Sequence, residues 1–163
     1  MGVPLAFGGG IKVKNRSGLP HSSQRRFWIT PLSGDEVRSG EETLRTLLGK
    51  GIYGLGRRTP GRKSIKPDDM LCFYLVGRGV VAHARVVSFP ERRPDLVSAF
   101  YPLVLRLDDV RLYLDSPILL NHMKLVQLDA FGRRGPIYIW GWFVTGTHSL
   151  TEHDFGLLTR NRV

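Results

Sequence analysis

Gly49-Lys50-Gly51-Ile52-Tyr53-Gly54 matches G-x-G-x-x-G, which cradles a pyrophosphate when it follows a strand and opens a helix. Here it follows a helical pattern and opens a loop, so its glycines read as a helix stop and a close backbone approach. No G-K-[ST] phosphate loop is present. His21, His83, His122, His148 and His153 never stand at ligand spacing from another His, Cys or acid, so no metal or other cofactor is expected. Cys72 lies inside an apolar run, where a structural thiol fits better than a nucleophile, and no G-x-S-x-G occurs. Asp68-Asp69 and Asp108-Asp109 are paired carboxylates able to do acid–base work. Each stands beside a turn signal, the ordinary place for solvated aspartates. Asp69 or His83 acting as base on a small nucleobase-like substrate is the enzymatic alternative, without a recognisable catalytic set around either.

The cations are more informative. Residues 1–34 hold five basic side chains and no acid, and residues 43–67 hold seven (Arg45, Lys50, Arg57, Arg58, Arg62, Lys63, Lys66), again with no acid. From Asp68 onward, eleven basic and ten acidic groups nearly cancel, so the overall charge of +10 is concentrated in two segments. Such clustering suits a polyanion, because each neutralised phosphate releases counterions. A surface charged for solubility is the plainer alternative. Lys50, Arg57, Arg58, Arg62 and Lys63 are the candidate phosphate contacts. Aromatic residues accompany them: Trp28, Tyr53, Phe73, Tyr74, Tyr138, Trp140 and Trp142 fall in predicted strands or at the loop entrance. Large rings on one strand face usually form core. Beside arginines they can also hold an unstacked base, worth about 1–3 kcal/mol per ring. Periodicity leaves both open.

A chain of 163 residues suffices for one domain with a real core, and 42% apolar with 23% charged residues is an ordinary globular balance. No membrane span or signal peptide is read, and one cysteine excludes an internal disulfide, so a cytoplasmic, reducing setting is expected. Residues 1–26 read as a basic, Gly/Ser-rich tail and 27–163 as the domain. Phe27–Thr30 opens a strand. Ser39 and Glu42 form a capping box before a helix over about 40–48, which Gly49 is placed to stop. Gly51–Pro67 reads as a long basic loop. Met70–Val76 and Val80–Val87 form a hairpin, with Val80, Ala82, Ala84 and Val86 on one face. A strand runs from Tyr101 to about Leu114 with a bulge at Asp108-Asp109. A short helix is predicted over 117–128, a strand over 137–145, and a final helix capped by Thr151. Strands without regular helix alternation predict an α+β fold or small mixed barrel.

The order Phe27-Trp28-Ile29, helix, Gly51-Ile52-Tyr53-Gly54, basic run, Lys66-Pro67-Asp68-Asp69 into an apolar strand, and Trp142-Phe143 before Leu150–Phe155 resembles the EVE domain family of the PUA-like superfamily. The resemblance spans about residues 27–160. It departs from the family pattern at Tyr53, where a tryptophan is usual, and at Asp68, where the family has the glycine of K-P-G-D. It implies a strongly curved mixed sheet or pseudo-barrel flanked by short helices. It also implies a non-catalytic domain that reads a base, often a modified one, flipped from DNA or RNA into an aromatic pocket. That pocket would fall to Trp28, Tyr53, Gly54, Tyr74 and Trp142, with Thr30 or Ser33 bonding the base edge. An RNA-binding accessory protein without preference for a modification is the other binding alternative.

Overall fold

The computed structural model describes residues 24–32, 39–132, 141 and 145–159 of the chain. Among them the order is β1 (Phe27–Leu32), α1 (Gly40–Gly49), β2 (Ile52–Leu55), β3 (Met70–Leu75), β4 (Gly79–Val86), β5 (Glu91–Arg92), β6 (Leu103–Leu112), α2 (His122–Leu125), α3 (Asp129–Gly132), β7 (His148–Leu150) and α4 (Glu152–Leu158). The strands form one mixed sheet in the order β2-β6-β4-β3-β1-β7, with β5 pairing β6. Among the described strands only β1 and β3 run parallel, in the register Trp28↔Leu71 and Thr30↔Phe73. Pro31 brings no amide to β1, and it stands beyond the stretch Phe27–Ile29 that β7 covers, so no ladder bond is lost on that side.

The sheet is curled into a half-barrel. In a flat sheet β2 and β1, four spacings apart, would lie about 19 Å from one another. Instead the Tyr53 hydroxyl of β2 donates to the Pro31 carbonyl of β1 at 3.2 Å. The inner face holds Trp28, Leu32, Tyr53, Leu55, Leu71, Phe73 and Leu105, closed by Leu44 and Leu48 of α1. The outer face holds Ile29, Met70, Cys72, Tyr74 and Val80, covered by Leu125, Phe131, Phe155 and Leu158 from α2, α3 and α4 and by Leu128 between α2 and α3. Strand parity makes this division: alternate residues of β1 and β3 pass to opposite layers.

Several boundaries follow the local signals. Ser39 Oγ accepts the Glu42 amide at 3.1 Å, and Thr151 Oγ1 accepts the Asp154 amide at 3.1 Å, so both predicted caps form. The bulge in β6 is present: His83 faces Arg111 while Arg85 faces Asp108, and Asp109 takes φ +47°. Other expectations need correction. The helix runs through Gly49, and Gly51, at φ +63°, is the left-handed residue that turns the chain. The predicted loop begins with a strand, because Ile52–Leu55 finds a partner in β6. Alternation along β4 breaks at a second bulge, where Phe73 faces Ala82 but Tyr74 faces Val80. The extra residue sends Val80 to the outer layer and both Val81 and Ala82 inward. Of the helix predicted over 117–128 only His122–Leu125 (α2) is helical, and a second short helix, α3, follows it at Asp129–Gly132. Most of the strand predicted over 137–145 lies outside the described residues.

Candidate nucleic-acid interface

The turn before β3 organises the site. Asp68 occupies φ +73°, a conformation that suits glycine best and that aspartate tolerates better than most residues. The turn expected from K-P-G-D therefore forms despite the substitution. It directs Asp69 into the interior, fully buried, where its carboxylate meets three N–H donors. The Trp28 indole nitrogen donates at 2.9 Å, the Lys66 amide at 3.1 Å and the Arg26 amide at 3.1 Å. Buried carboxylates require such partners. Asp69 thus fixes the indole plane and ties both the start of β1 and the end of the basic loop to one point. Arg26 also accepts the Met70 amide through its carbonyl at 2.9 Å.

Beside Trp28 stands a group of buried hydroxyls. Thr30 Oγ1 lies 2.8 Å from Thr147 Oγ1 and 3.5 Å from the Tyr53 hydroxyl. Burial pushes the Tyr53 phenol up to about 12, so it stays protonated and able to donate. Its ring meets Phe73 edge-on, with centroids 4.9 Å apart. These hydroxyls can each donate and accept, the versatility that bonding to a base edge requires.

The basic loop packs against Trp28. A Cβ at Gly61 would come 2.8 Å from Cζ3 of Trp28, so the loop backbone lies directly on the indole. Gly61 also takes φ +74°. Arg57, Arg58 and Lys63 are exposed and Arg62 half-buried, its guanidinium donating to the Thr59 carbonyl. Five arginines elsewhere (Arg45, Arg78, Arg85, Arg93, Arg111) have carboxylate partners, whereas among the described residues none of the loop's cations is ion-paired. Arg57 and Arg58, with Gly56, Thr59, Ala99 and Phe100, line an open groove of about 620 Å³.

The structure thus gathers Trp28, Thr30 and Tyr53 with the loop that carries Arg57, Arg58, Arg62 and Lys63. Two expected pocket residues do not join them. Tyr74 belongs to the outer layer, because parity in β3 places Phe73, not Tyr74, beside Thr30. Gly54 alternates away from the inward Tyr53, and its open side is filled by Tyr101 and Val97. Lys50 is the exposed C-cap of α1. Ser33 and Trp142 lie outside the described residues. Asp69, Thr147, Gly61 and Phe100 were not among the expected binding residues. For Asp69 the signal was its place in the K-P-G-D pattern, whereas nothing local marks Thr147 or Phe100.

The two candidate bases have structural positions. Asp69 is engaged as above. His83 lies on the outer face, its Nδ1 3.4 Å from the Tyr113 hydroxyl and its ring against Phe155. Burial holds its pKa below the usual histidine value, with Arg111 adding to and Asp109 opposing that shift. Asp129, His153 and Asp154 bring potential ligand atoms within 4.8 Å of one another. Both Asp154 oxygens already accept backbone amides, of Asp129 at 2.6 Å and Ala130 at 3.1 Å, which accounts for its burial as the cap of α3.

The curled mixed sheet, the short helices on its outer face and the closure of β2 onto β1 together define the architecture. The fold is PUA-like. Solved structures agree with this. The YTH domain-containing protein mmi1, in complex with RNA, superposes with a TM-score of 0.51 at 12% identity, over 82% of this chain and 78% of that one. A hypothetical protein from Leishmania major gives 0.55 at 13% identity, over 84% and 94%. A Rhodopseudomonas palustris protein solved by NMR gives 0.51 at 14% identity, over 82% and 90%. No family model matches the sequence, and no curated protein does. Within this PUA-like sheet, Trp28 and Thr30 come from a central strand and Tyr53 from the far edge, so only the curl brings them together. Among the described residues no helix is long and apolar enough to cross a membrane.

Proposed function

We propose that this protein is an EVE-type binding domain that holds one base of a nucleic acid, modified or not, against Trp28 while its basic loop holds phosphates. The observation that carries the proposal is the hydroxyl cluster of Thr30, Thr147 and Tyr53 beside the Asp69-locked indole, with a cationic loop against the indole whose charges have no ion-pair partner among the described residues. The ring supplies a stacking face, and the hydroxyls, which satisfy one another when the site is closed, can turn to a base edge instead. Gly61 covers the indole, so admitting a base requires the loop to lift. Extracting a base from a duplex costs a few kcal/mol, which favours single strands and weakened sites. The RNA complex formed by the structurally similar YTH protein supports RNA as the first ligand to test.

The experiment is a titration of RNA and DNA oligonucleotides, carrying modified or unmodified bases, at two salt concentrations. Affinity that falls with salt and ranks the bases differently is expected. Equal affinity for every base would remove base reading and leave an RNA- or DNA-binding accessory, and no binding at either salt would remove the whole proposal.

A further inference from the structure

The segment between β5 and β6 carries a side chain that the base pocket does not use. Phe100 is 84% exposed, the most exposed large apolar side chain among the described residues. A lone exposed ring is ordinary, but this one is held in place by the backbone beneath it. A Cβ at Gly54 would stand 3.1 Å from Tyr101 Cβ and 3.3 Å from Val97 Cγ1, and one at Gly56 would stand 3.7 Å from the Phe100 carbonyl oxygen. Missing side chains at Gly54 in β2 and at Gly56 just beyond it therefore let the 97–101 segment lie against this stretch of backbone. Ala99 and Phe100 line the groove together with Gly56, Arg57, Arg58 and Thr59. The groove is shallow and open to solvent, a shape that suits a strand laid along the surface better than an enclosed small molecule.

We propose that this groove holds the nucleotide next to the one read at Trp28, with Phe100 stacked on its base and Arg57 and Arg58 on its phosphates. The inference rests on the base-reading proposal and adds the ligand class, a single strand, because a base inside a duplex has no free face to offer Phe100. Charge complementarity selects the occupant. Neither arginine has a carboxylate partner among the described residues, and the whole run 43–67 contains no acid. Stacking on a free ring is tolerant of sequence, so the groove would add affinity and leave base choice to the pocket.

The test compares wild type, Phe100→Ala, Phe100→Trp and Thr30→Val for binding to a single-stranded pentanucleotide, its mononucleotide and the matching duplex. Phe100→Ala is expected to weaken the pentanucleotide about 5- to 150-fold and leave the mononucleotide unchanged. Phe100→Trp should restore the loss, and the duplex should respond to neither. Undiminished pentanucleotide binding by Phe100→Ala, with Thr30→Val weakened, would overturn the groove and leave base reading standing. The reverse pattern would remove base reading and keep Phe100 as a stacking platform. A Phe100→Ala defect confined to phosphatidylserine vesicles would overturn the nucleotide assignment in favour of a membrane.

Discussion

The Trp28 indole donates to the Asp69 carboxylate at 2.9 Å, joining the first residues of β1 to the turn that starts β3. Because β1 and β3 are parallel neighbours, this bond spans the end of the pair, and the Lys66 and Arg26 amides complete the shell. Replacing Asp69 by alanine leaves three donors without their acceptor. We expect a loss of about 3 kcal/mol or more, read from urea unfolding. Trp28→Phe should cost less, since Asp69 keeps two donors. A double-mutant cycle that finds no coupling between the two would refute the link.

The strained turn gives a prediction of opposite sign. Asp68→Gly should raise stability by up to about 1 kcal/mol by relieving a left-handed aspartate. The melting temperature would rise by up to about 2–4 °C. The exposed Asp68–Arg85 contact, at 3.9 Å, contributes little, and Arg85 retains Asp108 at 2.6 Å. Asp68→Val should lower the melting temperature.

Closure of the half-barrel can be separated from its packing. Tyr53→Phe removes the hydroxyl contacts to Pro31 and Thr30 but keeps the ring on Phe73. Denaturation should show a cost of about 0.5–1.5 kcal/mol, whereas Tyr53→Ala should cost about 3–5 kcal/mol by opening a cavity. Base discrimination should fall in both.

His83 makes stability depend on mild acid. Its folded pKa is depressed, chiefly by burial, so the unfolded chain binds the proton more readily. Its contribution is complete above the unfolded value of about 6.5 and is lost as pH falls toward the lower folded value. Thermal melts from pH 8 to 5.5 should therefore show falling stability, and His83→Gln should flatten the profile. An equal slope in the variant would exclude His83 as its source.

Arg57→Ala with Arg58→Ala should weaken single-strand binding uniformly across sequences. The slope of log affinity against log salt should become shallower by about 1.4 if each arginine contacts one phosphate. An unchanged slope would place the phosphates elsewhere.

Local chemistry made much of the fold legible. The two caps, the apolar run of β3, the bulge at Asp108-Asp109 and the basic loop all arise from interactions within a few residues, and sequence spacing records those. Trp28, Thr30 and Tyr53 could be named as site residues because they stand at strand positions in a recognisable order. Tyr74 and Gly54 were misplaced for the same reason: neighbours in sequence go to opposite layers, and ring type carries no information about parity.

Three-dimensional closure decided the rest. Tyr53 meets Thr30 across 23 positions, Thr147 meets Thr30 across 117, and Trp28 meets Asp69 across 41. Contacts that distant depend on the curl of the sheet and on bulges that shift register, which are summed over many strands and written at no single site. From sequence alone came the concentration of positive charge between Thr43 and Pro67 and the turn chemistry of Asp68-Asp69. That the loop's Gly61 lies against a locked indole, and that Arg57 and Arg58 line a groove with Phe100, follows only from the tertiary structure, because it is the folded sheet that sets their distances.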